Sequence, residues 1–314
     1  MRLVSTTADF ADYFKDKSIS APLAAFSGTG FKHIDLSMYD AIYDGSPWTE
    51  EGDGWKKEID ECARIASKFG FDFCQAHSPS GRFFKDEKRR EASLLATRRS
   101  IEACAMLGIP HTVVHAEALG NGLVTKLFGR KKFLDKNVEL FRILAEDAEK
   151  YGVDILAENS SDLWNPGYFL NTGGDIRGFV EKVGSKRVHV CWDTGHANCQ
   201  AADQYKEIIA IGKELRAIHA QDNYGNGDSH VMPMAGTINW DQVMRGLKEI
   251  GYEGDFTFEG HNTLRGSNKW PNYRREVRPG DILADPPLQL QQKQIAVMYE
   301  VGKWIVESYG FKAE

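Results

Sequence analysis

The chain has 314 residues, 42% of them hydrophobic, and its 39 Lys and Arg against 45 Asp and Glu give a net charge of −6. This length and composition predict a large buried core, and the acidic balance supplies no overall positive field for nucleic acid or an anionic membrane surface. No apolar run approaches the roughly 20 residues of a membrane-spanning helix, and no signal-peptide pattern opens the chain, so we expect a cytoplasmic protein.

Strand-like and helix-like segments alternate along the chain. Short apolar runs rich in Val, Ile and Phe predict buried strands, and the segments between them carry apolar residues at helical spacing. The first long helical segment, for example, has Ile59, Cys62, Ala63, Ala66 and Phe69 at helical spacing and stops at Gly70. A shorter helix is predicted over 17–30, ending in glycines. In chain order the predicted strands are RLVST, FKHIDLS, FDFCQAH, HTVVHA, VDILAEN, VHVCWD, RAIHAQD and GDFTFEG.

Eight strand-then-helix units predict the fold class. Their alternation requires parallel strands joined by right-handed crossovers, and eight units in a chain slightly longer than about 250 residues favour an α/β protein with a closed (β/α)₈ barrel. A doubly wound open sheet is the alternative. No Gly-x-Gly-x-x-Gly follows a strand, so a dinucleotide cradle has no support. We expect residues 1–314 to form a single domain with a long loop insertion at about 262–287.

Polar residues stand where four successive strands end, namely Glu158, Asp193, His219 and Glu259. In a parallel barrel these positions share the C-terminal rim, where active sites are built, so they predict one divalent-metal site. Three carboxylates and an imidazole suit Mn²⁺, Co²⁺, Zn²⁺ or Fe²⁺, and Mg²⁺ also fits. Without a cation, crowded carboxylates would repel one another and their pKa values would rise. The alternative is that each carboxylate caps a helix or pairs with a neighbouring cation.

The histidines provide a second indication of a functional rim. A single histidine beside a strand is more often structural than a ligand, but convergence of several on one rim favours a site. Six of the nine fall at predicted strand ends or in the loops just after them: His77, His115, His196, His219, His230 and His261. The other three, His33, His111 and His189, fall at strand starts or inside strands. Five scattered cysteines indicate buried thiols rather than disulfides or a zinc ribbon.

Six motifs together resemble the xylose-isomerase-like TIM barrels. They are HSP at 77–79, AEN at 157–159, WDTGH at 192–196, HAQDN at 219–223, DSHVMPMAGTINW at 228–240 and FEG at 258–260. That superfamily contains sugar and sugar-phosphate isomerases and epimerases, inosose dehydratases, C-glycoside-cleaving lyases and metal-dependent apurinic endonucleases. The resemblance covers almost the whole chain. As a set, the motifs are specific for the superfamily but weak for any one reaction within it.

The resemblance implies roles for nine residues. Glu158, Asp193, His219 and Glu259 would bind one divalent metal, most consistently Mn²⁺, and the two glutamates would act as the acid–base pair. The residues implied in substrate binding are His77, His115, His196, Asp228 and His230. One departure is that several epimerases carry an Arg shortly after the position of His219, where this chain has Gly225.

Three reactions stay open on this basis. The first is isomerisation or epimerisation of a sugar or related polyhydroxy ketone, by proton transfer through a metal-stabilised enediolate. The second is elimination from a keto-inositol or keto-glycoside by a lyase or dehydratase. The third is zinc-dependent phosphodiester hydrolysis, since all nine residues match the trinuclear site of apurinic endonucleases. The acidic balance and the segments HSPSGRFF and HAEALG disfavour this third reaction.

We therefore predict a metal-dependent carbohydrate isomerase or epimerase. Its expected partners are a small carbohydrate substrate and copies of itself in a dimer or tetramer, with no nucleic acid and no membrane. A barrel that only binds a polyol or a protein is a further class, and metal content separates these classes: about one ion per chain for the isomerase, about three for the hydrolase and none for the binder.

Two loops are expected to decide substrate choice. The loop at 37–55 carries Tyr39, Tyr43, Trp48 and Trp55, which could stack on a sugar or could simply pack at a subunit contact, the more common role for such residues. The arginines of the loop at 262–287 invite a phosphate-binding interpretation, but a charged loop is more often simply solvated.

Overall fold

The computed structural model describes residues 1–120, 123–161, 163, 166–265, 278–283 and 285–314. Eight parallel strands form a closed barrel in chain order, and the first strand pairs with the last. The strands are β1 (Leu3–Thr6), β2 (His33–Ser37), β3 (Asp72–His77), β4 (His111–Val114), β5 (Asp154–Glu158), β6 (Val188–Asp193), β7 (Leu215–Ala220) and β8 (Asp255–Phe258). The predicted single-domain (β/α)₈ barrel is confirmed, and the doubly wound sheet is excluded.

Helices follow the strands and cover the outside of the barrel. Within the described residues they are α1 (Ala8–Ala11), α2 (Lys56–Phe69), α3 (Glu87–Leu107), α4 (Leu123–Phe128), α5 (Arg130–Tyr151), α6 (Gly173–Val183), α7 (Thr194–Asn198), α8 (Gln204–Ile211), α9 (Trp240–Glu249) and α10 (Leu288–Ser308), with 3₁₀ turns at Leu23–Phe26 and Gly212–Glu214. None of the helices described has the length and apolar character needed to cross a bilayer.

The helix ends illustrate what local sequence decides. The predicted stop at Gly70 is confirmed, because this residue caps α2 in the left-handed conformation with φ 70°. The helix predicted over 17–30 is shorter than expected. Only the 3₁₀ turn Leu23–Phe26 forms there, since Pro22 cannot donate a backbone hydrogen bond and Gly28 and Gly30 take positive φ values.

Strand alternation places the rim residues above a buried layer inside the barrel. Val113, Leu156, Cys191 and Ala217 form a separate apolar cluster in the barrel interior. Each lies two residues before a rim residue, namely His115, Glu158, Asp193 and His219 respectively. Because strand side chains alternate between faces, residues two apart point the same way, so these rim residues also point into the barrel mouth.

The loop between β2 and α2 is packed against the barrel. Trp48 and Trp55 are buried, with ring centroids 5.4 Å apart, so they serve the core rather than a sugar or a subunit contact. Arg99 of α3 closes this loop by donating hydrogen bonds to the carbonyl oxygens of Pro47, Trp48, Glu50 and Gly52, at 2.7–3.1 Å. Tyr39 lies at the rim, where its ring is 5.2 Å from that of His77.

The long connection between β8 and α10 is only partly described. Residues 266–277 and 284 lie outside the described residues, so the loop insertion expected at about 262–287 and most of its arginines stay a prediction. Arg265 is described, and it pairs with Asp12 at 2.8 Å and with Asp285 at 3.3 Å. Its charge is therefore already balanced by two carboxylates of the chain itself.

Candidate active site

The nine predicted site residues all lie at the C-terminal rim, on the ends of β3 to β8 or in the segments that follow them. The structure gathers eight of them into three groups whose potential ligand atoms lie within 4.8 Å of one another. The groups are His77, His115 and Glu158; then Glu158, Asp193 and His219; then His196, Asp228 and His230. Glu158 belongs to two groups, so the rim carries one connected cluster rather than a single isolated site.

The central group contains three of the four predicted metal ligands, and the fourth, Glu259, lies outside all three groups but close to His219. His219 Nδ1 lies 3.2 Å from Glu158 Oε1 and 3.5 Å from Glu259 Oε1, so one imidazole nitrogen faces both glutamates. Asp193 closes β6, and its Oδ1 accepts a hydrogen bond from the backbone N–H of His196 at 2.6 Å. Asp193 thus caps the short helix α7, as the alternative interpretation of a strand-end carboxylate expected, while its side chain also belongs to the central group.

The first group joins two histidines to Glu158. His115 Nε2 lies 3.2 Å and His77 Nε2 lies 3.6 Å from Glu158 Oε2, and the two nitrogens are 3.1 Å apart. His77 Nδ1 is 2.9 Å from the carbonyl oxygen of Ser78, which leaves Nε2 for the group. Glu158 Oε2 is buried and accepts no hydrogen bond from any described residue.

The third group lies on α7 and on the loop after β7. Asp228 Oδ2 is 3.4 Å from His196 Nε2 and 3.0 Å from His230 Nε2. His196 Nδ1 lies 2.8 Å from the carbonyl oxygen of Asn159, which orients the ring. His230 Nδ1 is also 3.6 Å from Glu259 Oε2, so Glu259 stands between the central and the third groups.

This donor set fits divalent cations. Carboxylate oxygens and imidazole nitrogens are the ligands that Mn²⁺, Zn²⁺, Co²⁺ and Fe²⁺ take in proteins. Buried acidic and imidazole groups normally find hydrogen-bond partners, and an unpartnered oxygen such as Glu158 Oε2 leaves room for a further ligand. The residues present therefore fit a metal at the central group, and similar donors exist in the two flanking groups.

The electrostatics differ from the expectation of uniformly raised carboxylate pKa values. Burial and the nearby carboxylates raise the pKa of Asp193 to about 7, despite the opposing effect of His196. Burial also opposes ionisation of Glu158, yet neighbouring imidazoles bring its pKa well below the usual range. We assign this effect to His219 and His77, because burial lowers the pKa of His115 to about 4 and leaves that ring neutral.

The same compensation occurs at the other carboxylates. His230 and His196 outweigh burial and hold the pKa of Asp228 well below its usual range. Although burial lowers the pKa of His230, Asp228 raises it to about 9. At Glu259 burial is likewise outweighed, and His219 and His230 lower the pKa. Of the three carboxylates expected to have raised pKa values, only Asp193 does, because protonated imidazoles take the place of a cation beside Glu158 and Glu259.

Sequence reasoning missed the residues that orient the cluster. Gln221 donates from Nε2 to Asp193 Oδ1 at 3.2 Å and to Asp228 Oδ1 at 2.6 Å, and so links the central and third groups. Gly195 leaves room for this amide, since an added Cβ would lie 2.1 Å from Gln221 Cδ. Gln75 lies 2.9 Å from His219. One signal was available: Gln75 precedes His77 by two residues in the same strand and must share its face.

Comparison with known proteins relates the chain to a family of TIM barrels. The sequence profile of the xylose isomerase-like TIM barrel matches residues 23–278. A D-psicose 3-epimerase of Ruminiclostridium cellulolyticum is 30% identical over 143 residues, which cover 46% of each chain. An uncharacterized protein of Methanocaldococcus jannaschii is 30% identical over 181 residues, covering 56% of this chain and 59% of the other.

Solved structures agree on the fold. A D-tagatose 3-epimerase-like protein superposes with a TM-score of 0.72 at 19% identity, covering 99% of this chain and 98% of the other. The IOLI protein, solved with a bound zinc atom, gives a TM-score of 0.70 at 18% identity and covers 98% and 99%. The chain spans about half the length of the curated relatives it matches. By the extent of the profile match, the chain belongs to the xylose isomerase-like TIM barrel family.

Proposed function

We propose that the protein is a divalent-metal-dependent epimerase or isomerase of a ketose or a related polyhydroxy ketone. The observation that carries this proposal is that both glutamates approach the same atom, His219 Nδ1. Glu158 Oε1 lies 3.2 Å and Glu259 Oε1 lies 3.5 Å from this nitrogen. Two carboxylates that converge on one point from β5 and β8 can each exchange a proton with a substrate carbon held between them. The epimerase relatives support the same class of reaction.

In the proposed reaction the two glutamates divide the proton transfers. One carboxylate removes the proton from the carbon beside the carbonyl, and the electron pair of that C–H bond moves toward the carbonyl oxygen. The other, protonated, returns a proton to the opposite face of the same carbon, which gives the epimer, or to the neighbouring carbon, which gives the isomer. A cation held by Glu158, Asp193, His219 and Glu259 would supply the positive charge that stabilises the developing oxyanion.

The chain's own residues prepare this site. Asp193 and His219 are fully buried, which excludes water from the bottom of the site and strengthens charge interactions there. His77, His115, His196, Asp228 and His230 surround the two glutamates and would bind the substrate hydroxyl groups. Because the imidazoles can donate or accept, this ring suits a ligand rich in hydroxyl groups.

The test is deuterium incorporation into a substrate panel. Ketoses, keto-inositols and sugar phosphates are incubated in D₂O with the Mn²⁺-loaded protein, the metal is removed with a chelator, and spectra are recorded by NMR. We expect one carbon-bound hydrogen to exchange in at least one compound. A protein that keeps its metal but exchanges nothing across the panel would refute the proposal. Loss of water, or cleavage of a glycosidic bond, would identify the lyase alternative instead.

A second candidate function has its own structural support. The flanking groups of His77, His115 and Glu158 and of His196, Asp228 and His230 offer the donors for two further ions, as a phosphodiesterase of the apurinic endonuclease type would need. Metal analysis after dialysis separates the two functions. About one ion per chain supports the epimerase, and about three ions with cleavage of an abasic-site oligonucleotide would support the hydrolase.

The metal identity, the assembly and the location also belong to the proposal. Mn²⁺ suits an oxygen-rich site better than a thiol-binding ion would. We propose a homo-oligomer, dimer or tetramer, because α10 exposes Leu290, Val297 and Trp304 on its outer face. Light scattering tests this, and a monomer at all concentrations would refute it. A cytoplasmic location is supported by the five free cysteines.

A further inference from the structure

A second acid–imidazole pair lies beside the cluster, between β1 and β8. Asp9 follows β1 in the first turn of α1 and is fully buried, and His261 comes two residues after Glu259. Asp9 Oδ1 and His261 Nδ1 are 3.6 Å apart, both are buried, and neither makes a hydrogen bond with another described residue. Asp9 Oδ2 accepts a hydrogen bond from Ser5 Oγ at 2.5 Å. The remaining oxygen of Asp9 is thus directed at the His261 ring.

The surrounding residues hold this pair in place. Gln291 of α10, itself fully buried, donates from Nε2 to the carbonyl oxygens of Asp9 at 3.4 Å and of His261 at 2.9 Å. The N–H of Asn262 donates to the carbonyl oxygen of His230 at 2.9 Å, and the His261 and His230 rings stack with centroids 4.9 Å apart. A structure that clamps two loops around one imidazole fixes the orientation of that ring.

His261 stands on the accessible side of the cluster. The side chains of His261, His230 and Glu259 are 16%, 15% and 12% exposed, whereas those of Glu158, Asp193 and His219 are at most 2% exposed. Because Nδ1 of His261 is buried, the 16% exposed fraction belongs to the remaining atoms of the side chain, which include Nε2. Since the His261 ring stacks on His230, whose Nδ1 lies 3.6 Å from Glu259 Oε2, a ligand bound at Glu259 would lie near His261.

We propose that Asp9 and His261 form a substrate-binding pair, in which Asp9 holds the proton on Nδ1 and His261 Nε2 accepts a hydrogen bond from a hydroxyl group of the substrate. A carboxylate beside one ring nitrogen fixes the tautomer and leaves the other nitrogen as an acceptor. The ligand class is a polyol, and the hydroxyl group is one on a carbon beyond the carbon that reacts. The choice of substrate hydroxyl rests on the proposed function, whereas the tautomer and polyol binding do not.

The direct test is NMR of the Zn²⁺-loaded full-length protein labelled with ¹⁵N-histidine. The His261 signals are assigned by their loss in His261→Phe, a variant whose flat ring can still stack on His230. We expect the Nδ1–H tautomer, an Nε2 signal that shifts when hexitols or ketohexoses are added, and a mixture of tautomers in Asp9→Asn. An Nε2–H tautomer, or an Nε2 signal that none of these polyols shifts, would overturn the inference.

Kinetics separate this inference from the proposed function. The kinetic test compares an active ketose with analogues that each lack one hydroxyl group. For wild type, kcat/KM should be about tenfold lower for one of these analogues than for the ketose. For His261→Phe, kcat/KM on the ketose should be about tenfold below the wild-type value, and removing that same hydroxyl group should lower it no further. A full deoxy penalty at every position in His261→Phe would overturn the inference while proton exchange still supports the epimerase. If polyols shift the His261 signal but no compound exchanges a proton, the inference about His261 would be supported and the proposed epimerase function would be refuted.

The chain offers a matched control. His189 pairs through Nδ1 with Glu214 Oε2 at 2.8 Å, which is the same chemistry in a different part of the barrel. His189 lies at the start of β6, away from the C-terminal rim. His189→Phe should leave the deoxy profile and the His261 signals unchanged. A profile altered equally by both variants would assign the effect to general destabilisation and overturn the specific role of His261.

Discussion

Gln75 and His219 face each other inside the barrel, with Gln75 Nε2 2.9 Å from His219 Nε2. The other nitrogen of His219 faces the two glutamates, so a cation bound there requires the hydrogen on Nε2 and an acceptor opposite it. With its amide turned over, Gln75 would present Oε1 to this hydrogen, and its NH₂ group would face Thr257 Oγ1, which in this structure donates to Oε1 at 3.4 Å.

This relationship predicts that Gln75→Met weakens metal binding by about 10- to 100-fold, because the methionine keeps the shape but provides no comparable acceptor. Gln75→Glu should retain affinity, since a carboxylate also accepts from Nε2–H. Isothermal titration with Mn²⁺ measures both. Equal dissociation constants in wild type and Gln75→Met would show that Gln75 does not orient His219.

Glu158→Gln and Glu259→Gln should each abolish deuterium exchange, with losses of at least about 10²-fold, because an amide cannot take up a proton from carbon. Single-turnover exchange in D₂O measures this, with metal content determined on the same samples. Each variant must be assayed at a metal concentration that saturates it. Full exchange by either loaded variant would remove that glutamate from the proposed acid–base pair.

Metal affinity should rise with pH. Burial and neighbouring carboxylates raise the pKa of Asp193 to about 7, and the nearby glutamates, against the effect of burial, hold that of His219 well above 6.5. A cation must displace these protons, so lowering the pH should weaken the apparent affinity by about tenfold per pH unit for each proton released. Calorimetry in buffers of different ionisation enthalpy counts the protons. A dissociation constant that stays constant between pH 6 and 8 would contradict this.

The Asp228–His230 pair should make the metal-free protein less stable at high pH. Burial alone would lower the pKa of His230, but Asp228 raises it to about 9, above the unfolded value of about 6.5. The stabilisation is therefore complete below pH 6.5 and is lost as the pH rises through 9, by at most about 3 kcal/mol. Urea unfolding in EDTA at pH 6 and pH 9 should show this decrease. Asp228→Asn should flatten it, and an unchanged slope would refute the assignment.

Arg99→Ala should destabilise the loop between β2 and α2. One guanidinium donates to four carbonyl oxygens there, and its loss leaves the two partly buried ones, of Pro47 and Trp48, without a donor, at a cost of about 1–3 kcal/mol. Limited proteolysis near Glu50 and thermal unfolding measure the effect. Arg98→Ala on the same helix, which removes one ion pair to Asp147, is the control and should change little. Equal effects of the two substitutions would show that the hydrogen bonds of Arg99 do not stabilise this loop specifically.

Much of the site could be predicted from short-range patterns. Glu158, Asp193, His219 and Glu259 could be placed on one rim because each follows a buried strand, and parallel strands in a barrel end on the same side. Gly70 could be identified as a helix end because a residue without Cβ adopts the left-handed conformation easily. These features depend on residues that are neighbours in the sequence, so they do not depend on how the strands and helices pack together.

The tertiary structure alone decided how the rim residues combine. Glu158 and His219 are 61 residues apart, and Asp9 and His261 are farther apart still, so their contacts exist only after the barrel closes. Register shifts at Ile34/Asp35 and Val190/Cys191 also change which side chains meet across strands, and no local pattern reports them. Strand alternation therefore determined which residues reach the rim. Closure and register determined that they form three groups joined at Glu158, and that His219 lies between two glutamates.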